Sequence, residues 1–317
     1  MPRIAVPDDF PTVLSGSKAE TRLRELGEVD IHTTKAGSAD ELLRRVQGAE
    51  AVVNIRAYSR FDRDFFSRAQ GLRHLSIWGT GTDNVDLEAA RAAGVTVTNT
   101  PDVAAASVAE HAIALMLAVA RRIPLHDAAV RRGEWPRGSM VQLRGKTLGI
   151  LGLGSIGRET ARLAKGLGMK LLAWTFHPDP AFAAEVGLEW AEPDGLYARA
   201  EVVSIHLRLS AQTMGMVGKA AFARMKPGAI LVNTARGPIV DEWALIEALT
   251  SGRLGGAGLD VFGAEPLPAG HPLAGLPQVV LSPHNAGITP EVTEAGLLLA
   301  AENVAAFLAG RPQNVAN

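Results

Sequence analysis

The chain has 317 residues, with 32 Lys and Arg against 33 Asp and Glu and no cysteine. That length predicts about two domains of roughly 150 residues, each able to bury its own core without disulfides. The absence of cysteine excludes a disulfide framework, a thiolate metal site and a cysteine nucleophile. The net charge of −1 argues against a protein that binds nucleic-acid phosphates through clustered cations.

Two segments bear on where the protein resides. Asp8 and Asp9 interrupt the amino-terminal segment before a signal-peptide core develops. The most apolar run, residues 112–120, falls far short of the roughly 20 residues that span a bilayer. We therefore expect a soluble, cytoplasmic protein that has no membrane partner.

Short β-rich runs alternate with helix-like stretches through the first hundred residues. Residues 38–47 and 87–93 have the composition of helices. This alternation is typical of parallel strands that are covered by helices on both faces. The predicted strands are residues 3–6, 29–33, 51–55, 75–77 and 96–99.

A long helix is predicted next, over residues 107–122. Ser107 is the expected N-cap, Glu110 follows three residues later as in a capping box, and Pro124 comes after the end. We expect this helix to bridge two domains.

The β–α alternation then restarts with more continuous apolar runs. Such runs predict strands buried on both faces. They cover residues 147–151, 170–173, 202–206, 230–233, 256–260 and 279–282. A last helix is predicted over residues 291–309, before Gly310 and Pro312. The predicted fold class is α/β, with two doubly wound, Rossmann-like parallel-sheet domains.

A glycine motif follows the first strand of the second half. Gly152, Gly154 and Gly157 fit G-x-G-x-x-G, between the strand 147–151 and a helix predicted over 158–165. In this context the glycines permit a tight turn, close approach of a pyrophosphate and close packing of helix on strand. The free amides at the start of the helix favour phosphate. The motif predicts a dinucleotide site.

The choice between NAD and NADP stays open. An acid about 20 residues after the motif usually binds the ribose of NAD, but Thr175 stands there. No Arg or Lys in residues 175–180 would hold the 2′-phosphate of NADP. This absence favours NAD.

Three residues capable of chemistry, Arg236, Glu265 and His284, each follow a predicted strand. Taken alone, Arg236 is typical of a solvated charge, Glu265 of a loop residue and His284 of a turn. Because ligands bind beyond the carboxyl ends of parallel strands, we expect all three at one edge. An Arg binds a carboxylate through its planar fork, a His transfers a proton, and a carboxylate orients that His. Gly237, which follows Arg236, predicts an unusual turn. We predict no metal site.

Six segments, in this order, resemble the signature blocks of the D-isomer-specific 2-hydroxyacid dehydrogenases. The resemblance covers nearly the whole chain, and the intervals from Arg236 to Glu265 and from Glu265 to His284 are similar to those of the family. The segments are residues 79–86, 107–111, 152–157, 233–237, 260–266 and 282–287.

The resemblance implies a role for each candidate: Arg236 binds substrate, His284 is the acid/base, and Glu265 orients it. The predicted substrate contacts are Arg56, Trp78, Gly79, Thr80, Gly81 and Arg236, where the 79–81 turn offers backbone amides and Trp78 is equally compatible with core packing. The predicted cofactor contacts are Gly152, Gly154, Ser155, Ile156, Gly157, Thr175, His177, Leu207, Thr213, Thr234, Ala235, Asp260, His284 and Gly287.

The resemblance also implies a discontinuous layout. Residues 1–99 and 288–317 form a substrate domain, residues 100–287 form the cofactor domain, and the active site lies in a cleft that closes around the ligands. Residues 123–144 and the long helix resemble the dimer contact of the family, so we expect a homodimer.

The predicted function is hydride transfer between NAD, or NADP, and a small D-2-hydroxy acid or 2-keto acid, as in glyoxylate/hydroxypyruvate reductases. Two alternatives remain: an NAD(H)-sensing regulatory protein of the same fold, and a dehydrogenase of an oxyanion such as phosphite.

Overall fold

The computed structural model describes residues 1–56 and 58–317. Its contacts divide the chain into two compact units. The terminal unit comprises Met1–Ala104 and Ile288–Asn317, and the central unit comprises Ala105–Gly287. Within the described ranges, no helix combines the length and the apolar character that a bilayer span requires.

The terminal unit has a parallel sheet of five strands, ordered β2-β1-β3-β4-β5. Its elements before residue 105 are β1 Arg3–Val6, α1 Lys18–Leu26, β2 Glu28–Ile31, α2 Ala39–Val46, β3 Ala51–Asn54, α3 Arg63–Arg68, β4 His74–Ile77, α4 Leu87–Ala92 and β5 Thr96–Thr98.

The central unit has a parallel sheet of seven strands, ordered β12-β11-β10-β9-β6-β7-β8. Its elements are α5 Ala105–Arg121, α6 Ile123–Arg131, β6 Thr147–Leu151, α7 Ser155–Gly166, β7 Lys170–Trp174, α8 Pro180–Val186, β8 Leu188–Trp190, α9 Pro193–Arg199, β9 Val202–Ile205, α10 Lys219–Arg224, β10 Ala229–Asn233, α11 Glu242–Thr250, β11 Leu254–Leu259 and β12 Val279–Leu281, with short 3-10 helices at Gly237–Ile239 and Pro272–Gly275.

The last helix, α12 Pro290–Leu308, belongs to the terminal unit. It packs over β4, where the Ser76 hydroxyl donates to the carbonyl of Ala300. A side chain at Gly296 would place its Cβ 2.3 Å from Trp78 Nε1, so this glycine leaves the room that Trp78 fills. Through these contacts α12 packs within the terminal unit, which the chain leaves after residue 104.

Every predicted strand is present, and the predicted α/β class with two parallel sheets is confirmed. Sequence reasoning missed one strand, β8, a three-residue strand at the edge of the central sheet. Helix α7 begins at Ser155, three residues before the predicted start, because Gly154 is the N-cap.

The predicted cap of the long helix is wrong. Helix α5 begins at Ala105, so Ser107 lies within its first turn. The Ser107 hydroxyl donates to the carbonyl of Ala286 at 2.7 Å. The hydroxyl therefore bonds to a residue 179 positions away and does not cap the helix. A local sequence pattern cannot predict such a partner.

Candidate active site

The glycine loop after β6 is shaped by the close approach of backbone to backbone. Gly152 has φ +97°, and a Cβ on it would lie 2.8 Å from the His206 carbonyl oxygen. A Cβ on Gly157 would lie 2.1 Å from the carbonyl oxygen of Gly152. A Cβ on Gly154 would meet nothing within 4 Å. The first and third glycines are therefore required by the protein itself, whereas the second faces the space that a pyrophosphate would need.

The start of α7 completes this cradle. No side chain caps the helix at Gly154, so the first amides of the helix, which lack partners within the helix, have no side-chain cap. The partial positive charge of a helix N-terminus favours a phosphate there. The residues present therefore fit the pyrophosphate of a dinucleotide.

Two polar atoms near the ends of neighbouring strands are buried without a hydrogen-bond partner among the described residues. They are Thr234 Oγ1, after β10, and His206 Nδ1, after β9. Burial lowers the pKa of His206 to about 4, so its ring is neutral at pH 7, and Nε2 lies 2.9 Å from Ser204 Oγ. The unpaired Thr234 hydroxyl fits the predicted role of a cofactor contact.

Glu265 and His284 form a hydrogen-bonded pair. Glu265 Oε2 lies 2.7 Å from His284 Nδ1, and the Phe262 amide donates to Glu265 Oε1 at 3.0 Å. Burial raises the pKa of the Glu265 carboxyl, but the bonds from His284 and Phe262 and the charges of His284 and Arg236 outweigh it and lower the pKa below its ordinary value of 4.5. An ionised carboxylate only accepts hydrogen bonds, so Nδ1 is the donor and Nε2 remains for a ligand.

Arg236 lies on the loop after β10, which Asn233 shapes. The Asn233 side chain accepts from the Ala235 amide at 3.0 Å and donates to the Arg236 carbonyl at 3.0 Å. The charge of Arg236 lowers the pKa of Glu265, so the structure brings all three chemical candidates together at one edge of the central sheet.

The predicted reason for Gly237 is wrong. Its φ lies outside the left-handed region, and the residue opens a 3-10 helix. A Cβ on Gly237 would lie 1.9 Å from the Phe262 carbonyl oxygen. Close packing of the Arg236 loop on the Glu265 loop, and not an unusual turn, requires glycine here.

His284 itself has an uncommon backbone conformation, with φ +55°. For a residue other than glycine this conformation costs about 1–3 kcal/mol and persists only where neighbouring contacts enforce it. Asp260, buried at 1% exposure, accepts from the amides of Asn285 and Ala286 at 2.9 and 3.0 Å. Both oxygens of Asp260 thus bind the His284 loop, and the predicted contact of Asp260 with the cofactor stays a prediction.

The other predicted cofactor residues differ in what holds them. Leu207 is buried, and its Cδ2 would lie 3.0 Å from a Cβ on Gly152. The Thr213 hydroxyl donates to the Arg208 carbonyl at 2.7 Å and accepts from the Ser210 amide at 2.8 Å, so it shapes its own loop. Thr175, which directly follows β7, is half-buried, and His177 is exposed.

Sequence reasoning missed a cation that pairs with the segment after β7. Arg158, in the first turns of α7, pairs with Asp179 at 2.8 Å and lies over the ring of Phe182. Its position directly after Gly157, the last glycine of the motif, was the feature of the sequence that could have identified it. Asp179 neutralises this cation, so the segment after Thr175 is not left with an unbalanced positive charge.

The predicted substrate residues other than Arg236 lie at the carboxyl ends of β3 and β4 in the terminal unit. Arg56 donates to the Pro11 carbonyl at 2.6 Å and lies 5.4 Å above the ring of Trp78. One predicted amide is already engaged, because Gly79 donates to Thr100 Oγ1 at 2.7 Å. Its amide is therefore not a free donor, and the contacts of Gly79, Thr80 and Gly81 with substrate stay predictions. Trp78 packs against α12, as the core alternative predicts.

A model of the family described as "D-isomer specific 2-hydroxyacid dehydrogenase, NAD binding domain" matches residues 113–286. The chain belongs to the D-isomer-specific 2-hydroxyacid dehydrogenase family. This confirms the predicted family. Its members are oxidoreductases, and the matched model describes an NAD-binding domain, which supports a nicotinamide cofactor.

Relatives in this family cover the chain to different extents. A glyoxylate reductase of Thermococcus litoralis is 40% identical over 293 residues, which are 89% of this chain and 88% of that protein. A D-3-phosphoglycerate dehydrogenase of Archaeoglobus fulgidus is 39% identical over 287 residues, 90% of this chain but 54% of that protein. The chain spans about half the length of the phosphoglycerate dehydrogenases that it matches.

Solved structures agree over the full length. The TT0316 protein of Thermus thermophilus has a TM-score of 0.90 and 39% identity, covering 99% of this chain and 100% of that one. An acyclic imino acid reductase, solved with NADPH and D-Arg, has a TM-score of 0.90 and 27% identity, covering 99% of this chain and 100% of its own. The family fold therefore accommodates more than one chemistry.

Proposed function

We propose that the chain interconverts a small 2-keto acid and the matching D-2-hydroxy acid. The Glu265–His284 pair, with Arg236 on a neighbouring loop, carries this proposal. A bound nicotinamide supplies or accepts the hydride. The protein must then hold the carboxylate of the substrate and move one proton at the oxygen of its carbonyl or hydroxyl group.

Each member of the set suits one of these tasks. The planar fork of Arg236 binds the carboxylate and the neighbouring oxygen. His284 Nε2 gives its proton to the carbonyl oxygen during reduction and takes it back during oxidation. Glu265 keeps the proton on the other ring nitrogen in place and so fixes the orientation of the ring. The assignment needs no metal ion.

For the cofactor, we propose NAD in preference to NADP. The backbone at Gly154 and the start of α7 would hold the pyrophosphate. The Thr234 hydroxyl would bind another polar group of the cofactor. Thr175 adds no charge at the ribose, and Arg158 is neutralised by Asp179. With no unbalanced cation there, a 2′-phosphate gains little over a hydroxyl.

For the substrate, we propose glyoxylate or hydroxypyruvate. The named glyoxylate reductase is matched over 88% of its length, whereas the first phosphoglycerate dehydrogenase is matched over 54%. In the terminal unit, the proposed substrate domain, Arg56 and the amides of Thr80 and Gly81 are the candidate contacts. The central unit is the proposed cofactor domain.

We propose a cytoplasmic homodimer that associates through the segment around α6. Exposed apolar side chains are concentrated there, with Trp135 75%, Ile123 57% and Val130 51% exposed. Exposed apolar patches mark protein interfaces. Sedimentation of Trp135→Lys beside the unaltered chain tests this, since the variant should sediment as a monomer; a monomeric unaltered chain would contradict it.

The test of the function is a panel of 2-keto acids, assayed with NADH and with NADPH. We expect the fastest turnover with glyoxylate or hydroxypyruvate and NADH, and slower turnover with pyruvate and phenylpyruvate. Tight cofactor binding without turnover of any panel member would support the regulatory alternative instead. Reduction of NAD by phosphite, with an inactive panel, would support the oxyanion alternative.

A further inference from the structure

Four residues spaced by four, Ser107, His111, Leu115 and Val119, form one face of α5. The apolar half of this face lies over β11. A Cβ on Gly258 would lie 2.8 Å from Leu115 Cβ, and a Cβ on Gly256 would lie 2.6 Å from Val119 Cγ1. The two glycines thus let the helix lie directly on the strand.

The polar half of the same face lies beyond the carboxyl end of β11. His111 Nε2 is 3.5 Å from Asp260 Oδ1, and the Ser107 hydroxyl donates to the Ala286 carbonyl at 2.7 Å. Asp260 accepts from the amides of Asn285 and Ala286. Three hydrogen bonds therefore hold the two residues that follow His284, and two different elements supply them.

His284 needs such support. Its φ of +55° is rare for a residue with a Cβ. Among the described residues, its ring is hydrogen-bonded to Glu265 alone, through Nδ1, so the backbone after it sets where Nε2 points. If Ala286 shifts, the ring either turns away or stretches its bond to Glu265.

We propose that Ser107 is a positioning residue for His284. Its hydroxyl fixes the Ala286 carbonyl while Asp260 fixes the amides, and together they hold the His284 loop in the conformation from which Nε2 transfers the proton. This inference rests on the proposed function of His284. Ser107 acts through the loop and is not itself a catalytic residue.

The test replaces Ser107 by Ala, which removes the hydroxyl and keeps a strong helix former in α5. We expect kcat to fall about tenfold or more, because a small displacement of a catalytic group is costly. The dissociation constant of NADH, measured by fluorescence titration, should stay within about twofold. Ser107→Thr keeps a hydroxyl and should recover most of the lost kcat.

A matched control is Ser251→Ala, since Ser251 also donates its hydroxyl to a backbone carbonyl, that of Ala248 at 3.3 Å, but lies outside the site. It should leave kcat unchanged. In a His284→Ala background, Ser107→Ala should cause no further loss, because the group that it positions is gone.

The outcomes separate this inference from the function on which it rests. Unchanged kcat in Ser107→Ala, or the same fold-loss with and without His284, overturns the positioning role. A weaker NADH complex with unchanged kcat overturns it as well. If His284→Ala itself keeps turnover near that of the unaltered chain, the proposed function fails, whatever Ser107→Ala does.

Discussion

The glycine loop after β6 and the His284 loop after β12 lie at the same edge of the central sheet, and they hold their shapes by different means. The glycine loop is set by missing side chains, since Cβ atoms at Gly152 and Gly157 would collide with backbone within 3 Å. The His284 loop is set by side chains from elsewhere, Ser107 and Asp260. A binding surface for an extended phosphate needs backbone to be exposed, whereas proton transfer needs one ring to be held in one place.

The largest expected effect tests the second loop. His284→Ala removes the proposed proton donor, so turnover should fall by ~10²–10⁴-fold. NADH binding should remain within about twofold, because the glycine loop is untouched. Steady-state rates with a fluorescence titration of NADH measure both. Turnover near that of the unaltered chain would refute the assignment of His284.

The next pair tests the first loop. Gly154→Ala should fold normally, since its Cβ meets nothing within 4 Å, but NADH binding should weaken by about 10-fold or more because the methyl occupies the place of the pyrophosphate. Gly157→Ala should lose both binding and thermal stability, since its Cβ would lie 2.1 Å from a carbonyl oxygen. Calorimetry and melting curves measure these effects. Equal stabilities for the two variants would contradict the distinction.

A smaller effect concerns Glu265 and pH. Its folded pKa is below its ordinary value of 4.5, so its bond to His284 contributes stability above about pH 4.5 that is lost as the pH falls through the lowered pKa. Glu265→Gln lacks this carboxylate. The melting temperature of the unaltered chain should exceed that of the variant at pH 7, and the gap should narrow in acid. A gap that does not change with pH would contradict this coupling.

The smallest effect concerns the cofactor. Thr175→Asp adds a charge that repels a 2′-phosphate and can accept from a ribose hydroxyl. The ratio of kcat/KM for NADH to that for NADPH should rise by about a few-fold. Assays with both cofactors measure the ratio. An unchanged ratio would mean that another residue decides the preference.

The same contrast explains what the sequence can predict. Alternating apolar runs predict the strands of both sheets except β8, and the glycine motif predicts its own turn, because residue type and local spacing determine these features. The capping role of Ser107 was predicted incorrectly, because its partner is 179 residues away. Gly237 was explained incorrectly for the same reason, as the Phe262 carbonyl that excludes a side chain lies on another loop.

The most direct test mixes the NADH-saturated protein with glyoxylate, hydroxypyruvate and pyruvate and follows the loss of reduced nicotinamide, together with the configuration of each chiral product. We predict that NADH is oxidised in step with product formation and that pyruvate and hydroxypyruvate give the D-hydroxy acids. NADH that stays bound and unoxidised with every 2-keto acid, or L-configured products, would contradict the proposed function.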